Sequence, residues 1–449
     1  MITWNQVPLS VVQNSGRTDA EYFRPSHLTA FELLSNHGIQ RLSTLARITD
    51  GIHASPEIVE DGVRYISAKC VKNNEFITAG CIEISKRQHE TNPRTQLRDG
   101  DVIITTVGTI GNVAVVDERI TPCNCDRHVG IIRVHDPKSL SPFYLSTFLN
   151  SKYGVFQSFR ESAGNVQLNL YVKNIGNIVI PRLKGAELEI DLATRRAYFA
   201  RARSQDLYLE ARLRVDSALG LDKLAFKKPV GYTARFCEVE SSLRIDAEHF
   251  SPAFRSFKTS LPKGVSLSPL RQHLTFCQRG KQPIYAASGL PVVNSKHVQP
   301  TGIIRDKNRV ASPPHNPEFQ ICFGDTLLNS TGRGTLGRAA PYLGQERALP
   351  DNHVMLLRSS CLDPVFLALY LNSAAGQMQV EMHQRGSSGQ IELYPFDVRK
   401  FLVWLAPPDF QTELRDLYER AAASEQESRQ LLLQATTHVE QLIAKAVHP

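Results

Sequence analysis

Arg17-Thr-Asp19-Ala20-Glu21-Tyr-Phe23-Arg-Pro25 returns later in the same chain as Arg244-Ile-Asp246-Ala247-Glu248-His-Phe250-Ser-Pro252. Asp19 and Asp246 lie 227 residues apart, and the same displacement relates Pro56 to Pro283, Gly62 to Gly289 and Lys69 to Lys296. Around the lysines, Ile66-Ser-Ala-Lys69-Cys-Val71 answers to Val293-Asn-Ser-Lys296-His-Val298. Further matches keep their order at displacements of 222 to 226: Gly100-Asp101 with Gly324-Asp325, Gly108-Thr-Ile-Gly111 with Gly334-Thr-Leu-Gly337, His128 with His353, Leu149-Asn150-Ser151 with Leu371-Asn372-Ser373, and Gln167 with Gln390. One such match arises by chance. An ordered series with small indels is the signature of a duplicated module.

Each copy reads as β-rich first and helical last. Residues 65–71, 101–107, 113–117 and 128–134 are short runs of β-branched side chains bounded by Gly, Pro and Asp, as are 325–331 and 353–359. A helix is predicted after Pro142 and again after Pro364, since proline suits a first helical turn where its missing N–H has no partner to lose. A long helix closes each copy, over about 186–219 and 409–447, with Asp409 as its N-cap. Leu414, Leu417, Ala421, Ser424, Ser428, Leu431, Ala435, His438 and Leu442 follow a 3-4 spacing along the second. The first offers Leu188, Leu192, Phe199, Ala202, Leu209 and Leu213 on a similar stripe, interrupted by Arg195 and Asp206. The expectation is that the two stripes bury each other.

The fold class expected is therefore α/β (α+β), with two repeated domains of β-rich core separated by long antiparallel helices that form a coiled-coil-like spacer. The divisions fall at 1–36 (N-terminal segment), 37–183 (first domain), 184–222 (central helix), 223–262 (linker and second lead-in), 263–407 (second domain) and 408–449 (C-terminal helix).

A chain of 449 residues with 42% hydrophobic and 21% charged residues has ample material for two cores. Its net charge of +8 permits a polyanionic partner without demanding one. Residues 265–406 carry 14 Lys and Arg against 9 Asp and Glu, and residues 38–182 carry 17 against 14, whereas 409–447 carry 4 against 7. The positive surplus thus lies in the modules. The eight cysteines contain no CxxC pair and no zinc spacing, and read as scattered reduced thiols. The N-terminus lacks the shape of a signal peptide and no apolar run is long enough to span a bilayer, so a cytoplasmic location is expected.

Common catalytic motifs do not stand out. Gly332-Arg-Gly334-Thr-Leu-Gly337 fits GxGxxG, but Pro341 follows where a dinucleotide site needs a helix, so a turn is expected. There is no P-loop and no HExxH. Asn92-Pro93-Arg94 and Asn316-Pro317-Glu318 lack the aromatic residue with which an amino-methyltransferase stacks on its target base. His128 and His353 each sit alone beside a strand, and Asp101 and Asp325 read as turn residues.

Taken together, these residues resemble the specificity subunits of type I restriction–modification systems. The resemblance rests on the Arg-x-Asp-Ala-Glu-x-Phe-x-Pro lead-in and on the Gly-Asp strand that runs into a glycine turn. It rests also on the Gln167 and Gln390 segments ahead of Asn177-Ile-Val-Ile-Pro181 and Phe401-Leu-Val-Trp-Leu-Ala-Pro407, and on Pro407-Pro408-Asp-Phe-Gln411 opening the last helix. It covers nearly the whole chain, although the first copy lacks the double proline. It implies a non-catalytic subunit whose two target-recognition domains each read half of a split DNA sequence. It also implies helices that dock DNA methyltransferase subunits, which hold S-adenosylmethionine, with a translocating endonuclease subunit as a further partner. No cofactor, metal or catalytic residue is assigned to this chain, and no membrane is involved.

Polar loops near the start and end of each module are the expected DNA contacts: His53, Ser55, Lys69, Asn165 and Gln167 in the first, and Arg279, Lys281, Gln282, Lys296, Arg385, Ser387, Ser388 and Gln390 in the second. Lys69 and Lys296 share a repeat position and so suit phosphate anchoring, because two modules that read different sequences have phosphates in common and not bases. Leu188, Leu192, Phe199, Leu414, Leu417, Leu431 and Leu442 are the expected docking positions on the helices. Two other readings stand beside this one: an autonomous DNA-binding or scaffolding protein, and an enzyme such as a nuclease. A specificity subunit of another methylation-based phage-defence system fits equally.

Overall fold

The β-branched run Val102–Thr105 is buried at every position and forms the centre of an antiparallel four-stranded sheet. The order of that sheet is Ala46–Asp50, Val129–Val134, Val102–Thr105, Val113–Val115. In the second copy Thr326–Asn329 takes the same place, in the order Leu274–Arg279, Val354–Ser359, Thr326–Asn329, Ala339–Pro341. A computed structural model describes residues 5–78, 81–164, 167–224, 231–304, 308–314, 316–386 and 391–445.

The rest of each module repeats too. Ile58–Ile66 pairs antiparallel with Ile82–Ile84 and parallel with Cys123–Cys125. Tyr285–Val293 does the same with Val310–Ala311 and Leu349–Pro350. Ile39–Arg41 against Val179–Pro181, and Leu267–Pro269 against Leu402–Trp404, bring the two ends of each module together. Ala339–Pro341 is a strand, so the glycines at 332–337 make a turn into a sheet and not a phosphate-binding helix start.

Both proline-led helices form, over Pro142–Asn150 and Pro364–Asn372, with Ser141 and Asp363 accepting the free N–H groups of the first turn. A second helix follows at once in each, Lys152–Glu161 and Ala374–His383, capped by Ser151 and Ser373. The glycine three residues on is required by space: a Cβ at Gly154 would lie 2.4 Å from the carbonyl oxygen of Phe148, and one at Gly376 2.3 Å from that of Leu371. The lead-in motif seats on the end of this second helix. Arg17 holds Asp19 at 2.6 and 2.7 Å and donates to the Ser162 carbonyl at 3.0 Å. Arg244 holds Asp246 and donates to the Gln384 carbonyl at 2.7 Å.

The chain divides into two compact units, Met1–Ala200 with Gln426–Pro449, and Arg201–Glu425. The long helices run over Gly185–Ala218 and Pro408–Lys445, and each contributes to both cores. In the first unit Ile190 joins Ala435, Val439 and Ile443 under the sheet. In the second, Leu207, Ala211, Val215 and Leu219 join Leu414, Leu417, Tyr418 and Ala421. There Arg201 meets Glu425 at 3.6 Å and Arg214 meets Glu413, so the segments run antiparallel.

Two helix expectations need correction. Pro408 is the first helical residue, so Asp409 lies inside the first turn and does not cap it. The buried stripe of the central helix is Ile190, Thr194, Ala197, Ala200, Ser204, Leu207, Ala211 and Val215, and not the Leu188–Leu213 stripe. At Thr194 a small side chain lets the helix lie close against its neighbour, bonding Thr147 at 2.7 Å, and beside it the longer Tyr198 reaches the sheet, where its hydroxyl accepts from the Val115 N–H at 2.9 Å. The larger side chains are left outside, with Leu188 65% and Phe199 73% exposed.

Candidate nucleic-acid interface

In the first module the loop after Ala46–Asp50 and the turn before Val129–Val134 meet at one end of the main sheet. Gly51 makes this possible, because a Cβ there would lie 2.2 Å from the carbonyl oxygens of Cys125 and Asp126. Gly280 does the same in the second module, 2.3 and 2.4 Å from those of Asp351 and Pro350. Beyond each glycine the turn is Asp-x-His. The Asp126 carboxylate accepts from the His128 N–H, and that of Asp351 from the His353 N–H, both at 2.9 Å. Burial raises both carboxyls above the usual range, although those hydrogen bonds act in the opposite sense.

A cleft of about 640 Å³ opens here in the first module. His53, Ser55, Lys69, Arg127 and His128 line it, with Tyr65 and Ile52 below. Three of the expected residues are thus brought together. His53 sits 2.6 Å from Asp50, which also meets Arg94 at 3.1 Å. Burial acts to raise the Asp50 carboxyl, but the bonds from His53 and Arg94 prevail and hold it below the usual range. Lys69 is exposed on the one-turn helix Ala68–Cys70 and Lys296 is exposed in the matching turn. Gln167 is exposed on a neighbouring loop: the Leu170 N–H donates to Thr106, whose own N–H donates to the His128 carbonyl, each at 3.0 Å.

The second module repeats that chain of bonds, from Leu393 to Ser330 at 2.8 Å and from Ser330 to His353 at 2.9 Å. Arg279 is taken up by it. Its guanidinium donates to the Leu393 and Ser330 carbonyls and to Glu392, and lies 4.7 Å over the Tyr394 ring. Arg385 is held by buried Asp397 at 2.7 and 3.1 Å. Both arginines therefore build the loop. Lys281, 4.9 Å over the Phe319 ring, and Gln282 are exposed beside it. Asn165, Ser387, Ser388 and Gln390 lie outside the described residues.

On the helices, Leu188, Leu192 and Phe199 are exposed, Leu431 and Leu442 are half-buried, and Leu414 and Leu417 are buried in the second unit's own core. Sequence reasoning missed Arg127 and Asn352, the middle residues of the Asp-x-His turns. The repeated His-Val dipeptide was the available signal. It missed also that Asp101 and Asp325 are buried ion-pair partners. Asp101 takes Arg133 at 2.7 and 2.6 Å, and Asp325 takes Arg358 at 2.7 and 3.1 Å. Among the described residues no group of three or more His, Cys, Asp or Glu side chains is placed to hold a metal ion, and no helix is long and apolar enough to cross a membrane.

The chain is similar to the S subunit of a type I restriction–modification system from M. genitalium, at 12% identity over 91% of this chain and 95% of that one, with a TM-score of 0.39. A structure of the type I R-M system concerned with complex assembly and conformational transition shares 15% identity over 91% and 97%, with a TM-score of 0.32. The HsdS subunit from Thermoanaerobacter tengcongensis shares 16% over 92% and 96%, with a TM-score of 0.27. No family model and no curated protein matches the sequence.

Proposed function

We propose that this chain is the non-catalytic, sequence-reading subunit of a DNA methyltransferase and restriction complex, and that its two modules read the two halves of a split DNA target. The observation that carries this reading is a contrast between scaffold and surface. The framework is repeated pair for pair: the ion pairs of buried Asp101 with Arg133 and of buried Asp325 with Arg358, the close-packed Gly51 with Gly280, and the lead-in pair Arg17–Asp19 with Arg244–Asp246. The exposed loop residues at the same sheet end differ, with Ser55, Arg127 and His53 in one copy and Lys281 and Gln282 in the other, where half-buried Asn352 stands in place of Arg127. That is what two readers of different sequence need, a constant frame carrying variable donors and acceptors for base edges. Lys69 and Lys296, alike in both, serve the phosphates, which are alike in every sequence.

The exposed apolar stripe of the central helix fits a helix of a methyltransferase subunit. Leu188, Leu192 and Phe199 follow heptad spacing, broken only by Arg195, and large apolar side chains exposed along one helix face suit a partner helix. S-adenosylmethionine and the catalytic groups then belong to the methyltransferase, and a translocating endonuclease joins the same complex in the cytoplasm. Phe199→Asp is expected to fold normally and to lose the co-purifying methyltransferase. Retention of that partner at full stoichiometry removes the docking stripe from the proposal.

The test of the whole reading is a comparison of host DNA methylation with and without the gene, by long-read sequencing. Loss of methylation at one split motif, two short blocks around an unspecified gap, is the expected result. An unchanged pattern with the methyltransferase expressed overturns it.

A further inference from the structure

Four of the chain's eight cysteines, Cys70, Cys81, Cys123 and Cys125, converge on one apolar cluster of the first module. Two of them are shut away. Cys123 and Cys125 are buried on one strand, and burial pushes the Cys123 thiol up to about 12 and that of Cys125 well above its ordinary value. Cys70 and Cys81 differ in having an opening to the outside, since both line the cleft that holds Lys69 and His128. They stand on either side of the small hairpin formed by Val71–Lys72 and Glu75–Phe76.

Their sulfur atoms are 2.8 Å apart, inside the contact distance of two unbonded sulfurs, and the Ser67 hydroxyl stands 3.5 Å from the Cys70 sulfur. Hydrogen bonding from Cys81, aided by Ser67 against the opposing effect of burial, draws the Cys70 thiol down to about 6. The second module has no such pair, because His297 stands at the position of Cys70.

We propose that Cys70 and Cys81 are a reversible redox site, oxidised to a disulfide by a hydroperoxide that enters the cleft. The Cys70 thiolate attacks the terminal oxygen of the hydroperoxide. A sulfur–oxygen bond forms, the oxygen–oxygen bond breaks, and the alcohol (water, for hydrogen peroxide) leaves with a proton. The Cys81 sulfur then attacks the Cys70 sulfenic acid. The disulfide forms, the sulfur–oxygen bond breaks, and hydroxide leaves as water with the Cys81 proton. Two thiols lose two electrons and the hydroperoxide gains them. A dithiol reverses the change by exchange and becomes the disulfide in turn. The bond ties the hairpin across its base and fixes the wall of the cleft next to Lys69. This inference goes beyond the DNA-reading proposal and does not rest on it.

The experiment treats the full-length folded chain with hydrogen peroxide, alkylates the remaining thiols and maps linked peptides by mass spectrometry without reduction. A Cys70–Cys81 linked peptide that disappears with dithiothreitol is expected, together with slower amide exchange across 71–78. Cys81→Ser is expected to leave a Cys70 sulfenic acid that dimedone traps, and Cys70→Ser to leave Cys81 free and alkylatable. Full alkylation of Cys70 and Cys81 under conditions that oxidise the exposed Cys237 and Cys361 overturns the proposal, as does linkage of either to another cysteine. The linkage map uses the natural chain, so it decides the matter even if a variant fails to fold. Because it contains no DNA, its failure and a failure of the DNA-reading proposal are separate results.

Discussion

Replacing Lys69 and Lys296 by glutamine removes two exposed cations from matching turns of the two modules. If each neutralises one phosphate, each releases about one condensed counterion, and the slope of log K against log salt becomes shallower by about 0.9 per lysine. The double variant is then shallower by about 1.8. At about 0.15 M salt the same relation gives roughly fivefold weaker binding for each variant and roughly 30-fold for the pair. No knowledge of the target is needed, because phosphate anchoring is independent of sequence. Fluorescence anisotropy on a duplex of arbitrary sequence, repeated over a salt series, measures both quantities. Lysine to arginine at the same positions keeps the charge and is expected to keep the slope. A double glutamine variant that still binds with an unchanged slope refutes phosphate anchoring by these turns. Loss of slope from one lysine alone refutes the equivalence of the two modules.

Other consequences follow from the scaffold. Asp325→Asn leaves the Arg358 guanidinium beside a neutral partner and is expected to cost roughly 3 kcal/mol in urea unfolding, with a similar loss for Asp101→Asn against Arg133; a cost under ~0.5 kcal/mol in both removes these pairs as supports of the sheet. Gly51→Ala and Gly280→Ala each force a methyl group onto carbonyl oxygens and are expected to destabilise by about 2 kcal/mol, whereas Gly185→Ala, with nothing within 4 Å, is expected to be neutral; equal Tm values for all three contradict the packing described. His383 is held at about 4 against an ordinary 6.5, chiefly by burial, with His249, Lys400 and Arg244 adding to the effect. The unfolded chain takes up that proton first, so this contribution is complete above about 6.5 and is lost as pH falls towards 4, on the order of 3 kcal/mol in all. In unfolding measured across that range, His383→Phe is expected to flatten the acid limb, and an unaltered limb rules the group out. Glu161, at the matching position of the first module, is shifted up by burial, so its contribution has the opposite sign and favours the folded state as pH falls.

The duplicated fold was legible because a repeat is a comparison of the sequence with itself. Gly-Asp before a β-branched run, and proline before an apolar helix, state a local conformation wherever they occur, and their recurrence in order states the module. Part of the candidate site was legible for the same reason: His53, Ser55 and Lys69 sit in polar segments near the start of the module, and the fold gathers all three into one cleft. Arg279 and Arg385 look the same on paper as any exposed cation. Only the path of the chain brings Leu393, Ser330, Glu392 and Asp397 around them and turns them into braces.

What the sequence by itself determined is each element's type, the order of elements and their duplication, all of which depend on neighbours along the chain. What only the tertiary structure decided is which side chains meet. Asp101 faces Arg133 because Val102 pairs with Ile132, and Asp325 faces Arg358 because Thr326 pairs with Leu357, a register set across the sheet. Cys70 and Cys81 meet because the hairpin between them closes. The central helix carries two stripes at helical spacing, and helical periodicity treats them alike. Which one is buried is decided by the neighbouring elements, with Thr194 bonded to Thr147 on the inner side while Leu188 and Phe199 face away, a fact about distance that no spacing along the chain contains.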